Sequence, residues 1–162
     1  MPRPPRFFLS HSMQDVPEVD KIREAVTALG VEVYLAENDP KPGVNLAAKV
    51  IEAIKGSDAV VVLLTETAAK SPWVQQEIGA AQAAGKLIVP IVQEGVTTGI
   101  GVLAGLEWIP VDFASPSDAM ATVSAALEPL VRKHAEQQQR QQELVMAIAV
   151  VAAVLLIAYG GK

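Results

Sequence analysis

A glutamate on an apolar helical face is the first candidate for chemistry in this sequence. The stretch S-P-W-V-Q-Q-E-I follows an apolar run of strand length and predicts a new helix, with Ser71 as its cap and Pro72 in its first turn. Glu77 then lies four residues after Trp73 and three after Val74, so its carboxylate shares a face with an indole. A solubilising charge would be better placed on a polar face, which makes Glu77 a candidate for catalysis. For this helix taken alone, the alternative is a solvated surface glutamate with no specific role.

The composition excludes several classes of site. There is no cysteine, which removes disulfides, thiolate zinc sites and cysteine nucleophiles. The two histidines, His11 and His134, are far apart and fit no metal-binding spacing, so we expect no metal site. The formal charge of −5, without a basic stripe interleaved with aromatic residues, argues against nucleic acid as the main partner. A chain of 162 residues is long enough for one globular domain.

The last part of the chain is apolar enough to predict a membrane-spanning helix. Residues 144–159 carry no charge, amide or hydroxyl except the terminal tyrosine, whereas a buried core helix or a coiled-coil tail would normally keep a polar face. As a helix, this segment rises about 24 Å over residues 144–159 or about 27 Å over residues 144–161, against a hydrocarbon core of about 30 Å, so the span is short. Arg132, Lys133 and Arg140 precede it, and such positive flanks stay in the cytoplasm. We therefore expect a single-pass membrane protein whose globular part faces the cytoplasm.

Apolar runs of strand length alternate with segments of helical period before this tail. The second helical segment, for example, is expected to bury Leu46, Val50 and Ile54. Strands that are apolar on both faces and joined by helices specify a parallel sheet covered by helices on both sides. The sequence thus predicts an α/β fold, with a flavodoxin-like five-stranded parallel sheet in the order 2-1-3-4-5. Its strands are expected at Phe7–Leu9, Val31–Leu35, Ala59–Thr65, Lys86–Val92 and Trp108–Val111.

Three parts of the chain are expected in order. Residues 1–134 form the globular domain, residues 135–143 form a polar helical stalk, and residues 144–161 form the membrane helix. No glycine or proline lies between Pro129 and Gly160, so the last domain helix is expected to continue through the stalk. The basic start of the chain has too short an apolar run for a signal peptide. These features predict a tail-anchored arrangement.

Three connecting segments are expected to meet at the carboxyl rim, the side of the sheet where the parallel strands end. They are Ser10-His11-Ser12 after strand one, residues 37–43 after strand two, and residues 65–77 after strand three. Ligands of such sheets bind at this rim, near the point where the strand order reverses. The convergence strengthens the case for Glu77.

Three motifs in this order resemble the Toll/interleukin-1 receptor (TIR) domain family, in detail its bacterial members. The match covers roughly Arg6 to Asp112. The stretch F-F-L-S-H-S-x-x-D at Phe7–Asp15 is similar to the first box of the family, and N-D-P-K-P-G at Asn38–Gly43 is similar to its proline-glycine loop. S-P-W-V-Q-Q-E-I is similar to the box that carries the glutamate of enzymatic members.

The resemblance implies either of two functions. Some TIR domains only assemble with one another in signalling, and others cleave NAD at the nicotinamide glycosidic bond, in bacteria often as antiphage defence. In the enzymatic case the resemblance implies that Glu77 binds the ribose hydroxyls and stabilises an oxocarbenium-like transition state, with Trp73 and Phe8 as an apolar wall. NAD is then the substrate rather than a bound cofactor, and the products are nicotinamide and linear or cyclised ADP-ribose.

The first box and the proline-glycine loop imply further roles. Ser10, His11 and Ser12 are candidates for hydrogen bonds to ribose or phosphate. The alternatives are that Ser12 and Asp15 cap the first helix and that His11 is a surface residue. Ala36 replaces the aspartate that many family members carry after strand two, which leaves ligand contacts from this loop open.

Residues Asp39, Pro40, Pro42 and Gly43 are expected to form an assembly loop. In the family this loop bridges neighbouring domains, although proline and glycine also suit an ordinary turn. Other TIR domains, including further copies of this chain, are therefore the expected partners, and a membrane anchor would raise their effective concentration. The main alternative is a non-enzymatic TIR scaffold. A nucleoside deoxyribosyltransferase-like enzyme shares the fold type and a catalytic carboxylate, but the first box and the loop motif give it no support.

Overall fold

A parallel sheet forms the centre of the domain. The computed structural model describes residues 3–38, 42–97 and 103–159. Within these ranges every strand pairing is parallel and the order is β2-β1-β3-β4-β5, which confirms the predicted flavodoxin-like order. The strands are β1 (Arg6–Ser10), β2 (Glu32–Tyr34), β3 (Ala59–Leu64), β4 (Leu87–Gln93) and β5 (Ile109–Val111).

Helices cover both faces of the sheet. On one face α1 and α5 pack against alternate strand residues such as Val61 and Leu63, and on the other α2 and α4 pack against Val60 and Val62. The six residues of β3 are all buried, because this central strand has helices on both sides. The helices are α1 (Val16–Ala28), α2 (Leu46–Lys55), α3 (Glu66–Ala69), α4 (Pro72–Ala83) and α5 (Pro116–Tyr159), and a 3-10 turn spans Ala36–Asn38.

Local sequence sets the helix boundaries that bring the rim together. Ser71 accepts a hydrogen bond from the Val74 amide at 3.4 Å and Pro72 begins α4, as the sequence predicted. Gly85, with φ +63°, follows the last turn of α4, where a left-handed residue ends a helix without steric strain. Thr65 caps α3 by accepting from the Ala68 amide at 3.0 Å.

Several sequence predictions differ from the structure in detail. Leu46 was placed on the buried face of the second helix, but it is 52% exposed, because it is the first residue of α2 and projects beyond the packed turns. Val50 and Ile54 are buried as predicted. The fifth strand begins at Ile109, and Trp108 lies before it with 49% of its surface exposed. The short helix α3 was not predicted, because four residues are too few to show a helical period.

The last helix runs from the domain into the apolar tail without interruption. α5 spans Pro116–Tyr159 and includes Pro129, so the continuous helix expected from the sequence is confirmed. Among the described residues, one helix is long and apolar enough to cross a membrane, and its most apolar window has a mean hydropathy of 2.1 and no buried residues. Nε2 of His134 lies 3.9 Å from Oδ2 of Asp58, the residue just before β3. The helix therefore leaves the domain at the amino rim, opposite the carboxyl rim.

Candidate active site

Ser10 and Glu77 meet at the carboxyl rim of the sheet. Ser10 is the last residue of β1, and Glu77 lies in the second turn of α4, which follows the neighbouring strand β3. The Ser10 hydroxyl donates a hydrogen bond of 2.5 Å to Oε2 of Glu77. Both side chains are buried, with 1% of Ser10 and 4% of Glu77 exposed. The glutamate is therefore not a solvated surface charge, and the interpretation that the isolated helix left open is excluded.

The surroundings of Glu77 explain its inward position. Its neighbours on α4, Val74 and Ile78, are fully buried in the core between α4 and the sheet. Trp73 is partly buried and packs against the same core, so the indole lies beside the carboxylate at the rim. Because Ser71 fixes where the helix begins, the register of these four side chains follows from the cap.

Burial raises the pKa of Glu77 to about 7. The Ser10 hydroxyl, the nearby His11 ring and the Trp73 indole oppose this shift, and the carboxylate of Glu37 adds to it. The carboxyl group is thus poised to exist in both protonation states near neutral pH. That property is typical of catalytic acids and bases, and a carboxylate in a site with little water stabilises positive charge strongly.

His11 connects β1 to the 3-10 turn after β2. Nδ1 of His11 lies 3.1 Å from the Leu9 carbonyl, which can only accept, so this nitrogen carries a proton. Nε2 lies 2.7 Å from Oε1 of Glu37, an ion-pair distance, although the ring N–H is not aligned with that oxygen for a hydrogen bond. Only 6% of His11 is exposed. His11 is therefore not the surface residue that the sequence left as an alternative.

The ion pair shifts the titration of both partners. Burial alone would lower the pKa of His11, but Glu37, the Leu9 carbonyl and Glu77 outweigh it and raise the pKa. Burial would likewise raise the pKa of Glu37, but His11 and Lys49 help to lower it. Both shifts favour an imidazolium beside a carboxylate. Glu37 was not singled out from the sequence, although an acid one position after Ala36, in place of the usual family aspartate, was a usable signal.

A second buried contact joins the segment after β1 to the segment after β3. Thr65 donates from Oγ1 to Oδ2 of Asp15 at 2.6 Å, and both side chains are buried. Asp15 occupies the cap position of α1, but its side chain makes no capping bond. Ser12 accepts from the Gln14 amide at 3.3 Å in the turn before the helix. Ser12 and Asp15 therefore do not cap α1 through their side chains, as the alternative interpretation supposed. Ser12 instead bonds within its turn, and Asp15 bonds across the rim to Thr65.

The two other predicted site residues, Phe8 and Ser12, do not contact Glu77 in the same way as Ser10. Phe8 was predicted to line the site, but its side chain is fully buried and stacks on Tyr34 with ring centroids 5.8 Å apart. It shares a strand face with Ser10, two residues deeper, and supports the site from beneath. Ser12 lines a neighbouring groove of about 490 Å³ together with Thr67 and Lys70.

Two of the four predicted assembly-loop residues lie within the described chain. Pro42 and Gly43 are exposed, and Gly43 has φ +82°, a conformation that suits glycine. Asp39 and Pro40 lie outside the described residues. In the part of the chain that the structure describes, no group of three or more His, Asp or Glu side chains is placed to hold a metal ion.

Fold and site together define a flavodoxin-like α/β domain with a buried, titratable carboxylate at its carboxyl rim. The sequence profile of the TIR domain family matches residues 7–127, and the chain belongs to this family. A comparison with curated protein sequences found no match.

Solved structures of TIR and related domains have the same fold. The TIR domain of the Toll-related receptor TRR-2 from Hydra magnipapillata superposes with a TM-score of 0.65 at 14% identity, covering 78% of this chain and 97% of that one. The CMP N-glycosidase BcmB of Clostridium botulinum gives 0.57 at 21% identity, covering 75% and 99%. A TIR-STING receptor from C. gigas, in complex with 2',3'-cGAMP, gives 0.58 at 23% identity, covering 73% of this chain and 39% of that receptor. At these identities the similarity establishes the fold alone.

Proposed function

We propose that this chain is an enzyme of a signalling or defence system, of the bacterial TIR type, that cleaves the N-glycosidic bond between nicotinamide and ribose in NAD. The observation that carries the proposal is the buried Glu77 carboxyl group, which has a pKa of about 7 and accepts a hydrogen bond from Ser10 at the carboxyl rim. A structural glutamate gains nothing from this position, because burial of an ionisable group opposes folding. A catalytic carboxylate does gain from it.

The reaction needs one carboxylate and no general acid. The C1′–N bond of the nicotinamide riboside breaks, and its electron pair leaves with nicotinamide, which is neutral once it departs from the cationic cofactor. The ribosyl group develops oxocarbenium character, and the ionised Glu77 stabilises that positive charge and hydrogen-bonds the ribose hydroxyls. Water then adds to C1′ and loses a proton to give ADP-ribose. If a ring nitrogen of the adenine adds instead, the product is cyclic.

The other rim residues have supporting roles in this proposal. Ser10 holds the Glu77 carboxylate in one orientation, so the charge is positioned before the substrate arrives. Trp73 provides an apolar surface beside the carboxylate that limits water. Ser12 lies at the neighbouring groove, where its hydroxyl is available to the ribose or phosphate groups of the substrate. NAD is therefore proposed as a substrate and not as a resident cofactor.

We also propose that the domain works at the cytoplasmic face of a membrane, in an assembly of copies. Residues 1–134 form the TIR domain, residues 135–143 the stalk and residues 144–161 the membrane helix in this arrangement. The exposure of the apolar tail supports the anchor, since residues 144–158 have no partner within the described chain. A plane of anchored domains raises their local concentration and favours contacts through the assembly loop at Asp39, Pro40, Pro42 and Gly43.

The full chain reconstituted at high density in liposomes provides the test. Wild type is incubated with NAD, and separately with CMP, and the bases released are identified by chromatography. The proposal predicts nicotinamide from NAD and no cytosine from CMP. Release of cytosine alone would retain the glycosidase chemistry but replace the substrate. Release of neither base from protein whose assembly is confirmed would contradict enzymatic function and favour a TIR scaffold.

A further inference from the structure

His11 lies at the centre of a network that joins three elements at the carboxyl rim. It directly follows Ser10, whose hydroxyl holds Glu77 on α4. Its own ring reaches across to Glu37 in the 3-10 turn after β2. The imidazole is buried, with only 4% of its side chain exposed, whereas the Glu37 side chain is 28% exposed. His11 therefore adjoins the serine that binds the buried carboxylate, and its ring contacts the 3-10 turn after β2.

Both ring nitrogens of His11 are already engaged. Nδ1 donates to the Leu9 carbonyl and Nε2 lies 2.7 Å from Oε1 of Glu37, so protein groups occupy both nitrogen edges of this buried ring. A direct role in substrate binding, which the family resemblance implied, is poorly served by this geometry. A side chain held so firmly on both sides is suited to holding other groups in place.

We infer that His11 is a positioning residue, which fastens the turn at Glu37 to the carboxyl rim and holds a positive charge beside the Glu77 carboxylate. The inference rests on the proposed function, because it assigns His11 a task within that site. The Leu9 bond orients the ring, the Glu37 contact favours its charged form, and a positive charge there favours the ionised form of Glu77. The role passes through Glu77, so His11 itself touches no substrate.

The charged groups around the ring support this role. Among the described residues, Glu37 faces His11 from the 3-10 turn and Glu77 acts on it from α4. Lys49 on α2 acts on Glu37 and donates from Nζ to the Ala36 carbonyl at 2.7 Å, so the turn is held from a second side. Two carboxylates thus act electrostatically on one imidazole, and one of them, Glu37, contacts it. Without the imidazolium, they would repel each other and both would be harder to ionise.

The first experiment measures the charge of His11 directly, without reference to catalysis. The full chain in lipid nanodiscs is labelled with 15N only in its histidines, which gives two imidazoles, and His134→Gln assigns the remaining signal to His11. We expect Glu37→Gln to lower the pKa of His11, because it removes the facing negative charge. Glu52→Gln, an exposed glutamate on α2, is the matched control and should leave it unchanged. An unchanged His11 pKa in Glu37→Gln would overturn the inference.

The second experiment follows the ionisation of Glu77 through the indole beside it. The chain has two tryptophans, so Trp108→Phe leaves Trp73 as the single fluorescent reporter. In this background the emission is expected to titrate near pH 7, and Glu77→Gln should abolish the titration. We expect His11→Asn, which can still donate to the Leu9 carbonyl, to move the midpoint upward by about one pH unit. An unchanged midpoint would show that His11 has no effect on the pKa of Glu77 and would overturn the inference.

These two measurements separate the inference from the proposed function. Neither depends on NAD cleavage, so a chain that proves to be a scaffold would still report whether His11 is charged by Glu37 and acts on Glu77. If the chain cleaves NAD, His11→Asn should also lower kcat/KM at pH 7 by about 5-fold and recover it at higher pH. Failure of cleavage with both titrations as expected would contradict the proposed function while the His11–Glu37–Glu77 coupling stands.

Discussion

The carboxyl group of Glu77 is both the proposed catalytic group and a source of instability. Its pKa is raised from 4.5 in the unfolded chain to about 7 in the folded one, so the folded state binds the proton more tightly. Stability therefore falls as the pH rises between these two values, by about 3 kcal/mol across the window. Such a penalty is typical of groups kept for function.

Replacing Glu77 with glutamine should therefore separate activity from stability. Glu77→Gln keeps an acceptor for the Ser10 hydroxyl but removes the buried charge, so we expect NAD cleavage to be lost and stability at pH 8 to rise by about 2 kcal/mol. Thermal unfolding of the full chain at pH 5 and pH 8 measures the change. Glu128→Gln on the exposed face of α5 is the control. A variant that is less stable than wild type at pH 8 would contradict the assigned cost of burial.

Ser10 should tune the pH profile of the reaction. We expect wild-type kcat/KM to rise with pH and to level off above about pH 7, where Glu77 is ionised. Ser10→Ala removes the donor that favours the carboxylate, so the pKa of Glu77 should rise further, and kcat/KM at pH 7 should fall by about 3- to 10-fold. Initial rates of nicotinamide release from pH 5 to pH 9 measure both effects.

Ser57 provides a matched control for Ser10. It is also buried and donates one hydrogen bond, to the Ala53 carbonyl at 2.7 Å, but it lies at the end of α2, away from the rim. Ser57→Ala is expected to lose about 1 kcal/mol of stability without moving the pH profile. Equal displacement of the pH profile by both alanine variants would show that Ser10 acts through general stability.

The helices and strands that carry the site could be predicted from the sequence, but the contacts between them could not. The order of the sheet followed from strands such as β3, which is apolar on both faces, and the start of α4 followed from Ser71 and Pro72. These signals are local, so the sequence carries them directly. The Ser10–Glu77 and His11–Glu37 pairings are not local, because partners far apart in sequence meet only once the strand order and helix registers are set.

The sequence also could not predict how deeply each side chain is buried. Phe8 and Ser10 alternate on one strand face, but nothing in the spacing shows that the core closes over Phe8 while Ser10 remains at the rim. Similarly, Leu46 has the correct helical phase for burial, yet α2 begins at that residue and leaves it exposed. Periodicity predicts the direction of a side chain and not how far the covering element extends.

At the level of elements, Thr65 is expected to stabilise the segment that follows β3. It donates to Asp15 before α1 and caps α3, so Thr65→Val removes both bonds and leaves a buried carboxylate without its donor. We expect a loss of about 2 kcal/mol. Thermal unfolding measures it, with Thr122→Val as the control, because Thr122 is exposed and bonds only within α5. Losses of equal size in the two variants would contradict a special role for Thr65.

The whole molecule has two opposite ends, one for the proposed chemistry and one for the proposed membrane anchor. Ser10 and Glu77 lie at the carboxyl rim, whereas α5 leaves beside Asp58 at the amino rim. Residues 135–143 and the apolar tail belong to the same helix, α5, so the tail extends away from the rim that carries the site. If the tail spans a bilayer, the site faces away from the lipid and stays open to substrate and to neighbouring domains.

The anchor has its own test at this scale. Wild type should remain in the membrane pellet after carbonate extraction. Val151→Lys with Leu155→Lys places two charges in the apolar segment, at a penalty of about 2.5–3.5 kcal/mol each, and should release the protein. Gln137→Lys with Gln141→Lys has the same spacing in the stalk and should leave it in the pellet. Retention of the Val151 and Leu155 double variant would contradict a membrane-spanning role for the tail.

The most direct test of the account is the rate of NAD loss in densely reconstituted liposomes of wild type, Glu77→Gln and Glu128→Gln, followed by chromatography at pH 8. This pH lies about one unit above the pKa of Glu77, so most of the carboxyl groups are ionised in wild type. The account predicts nicotinamide release by wild type and Glu128→Gln, and a loss of at least about 100-fold in Glu77→Gln. Cleavage by Glu77→Gln at the wild-type rate would contradict it.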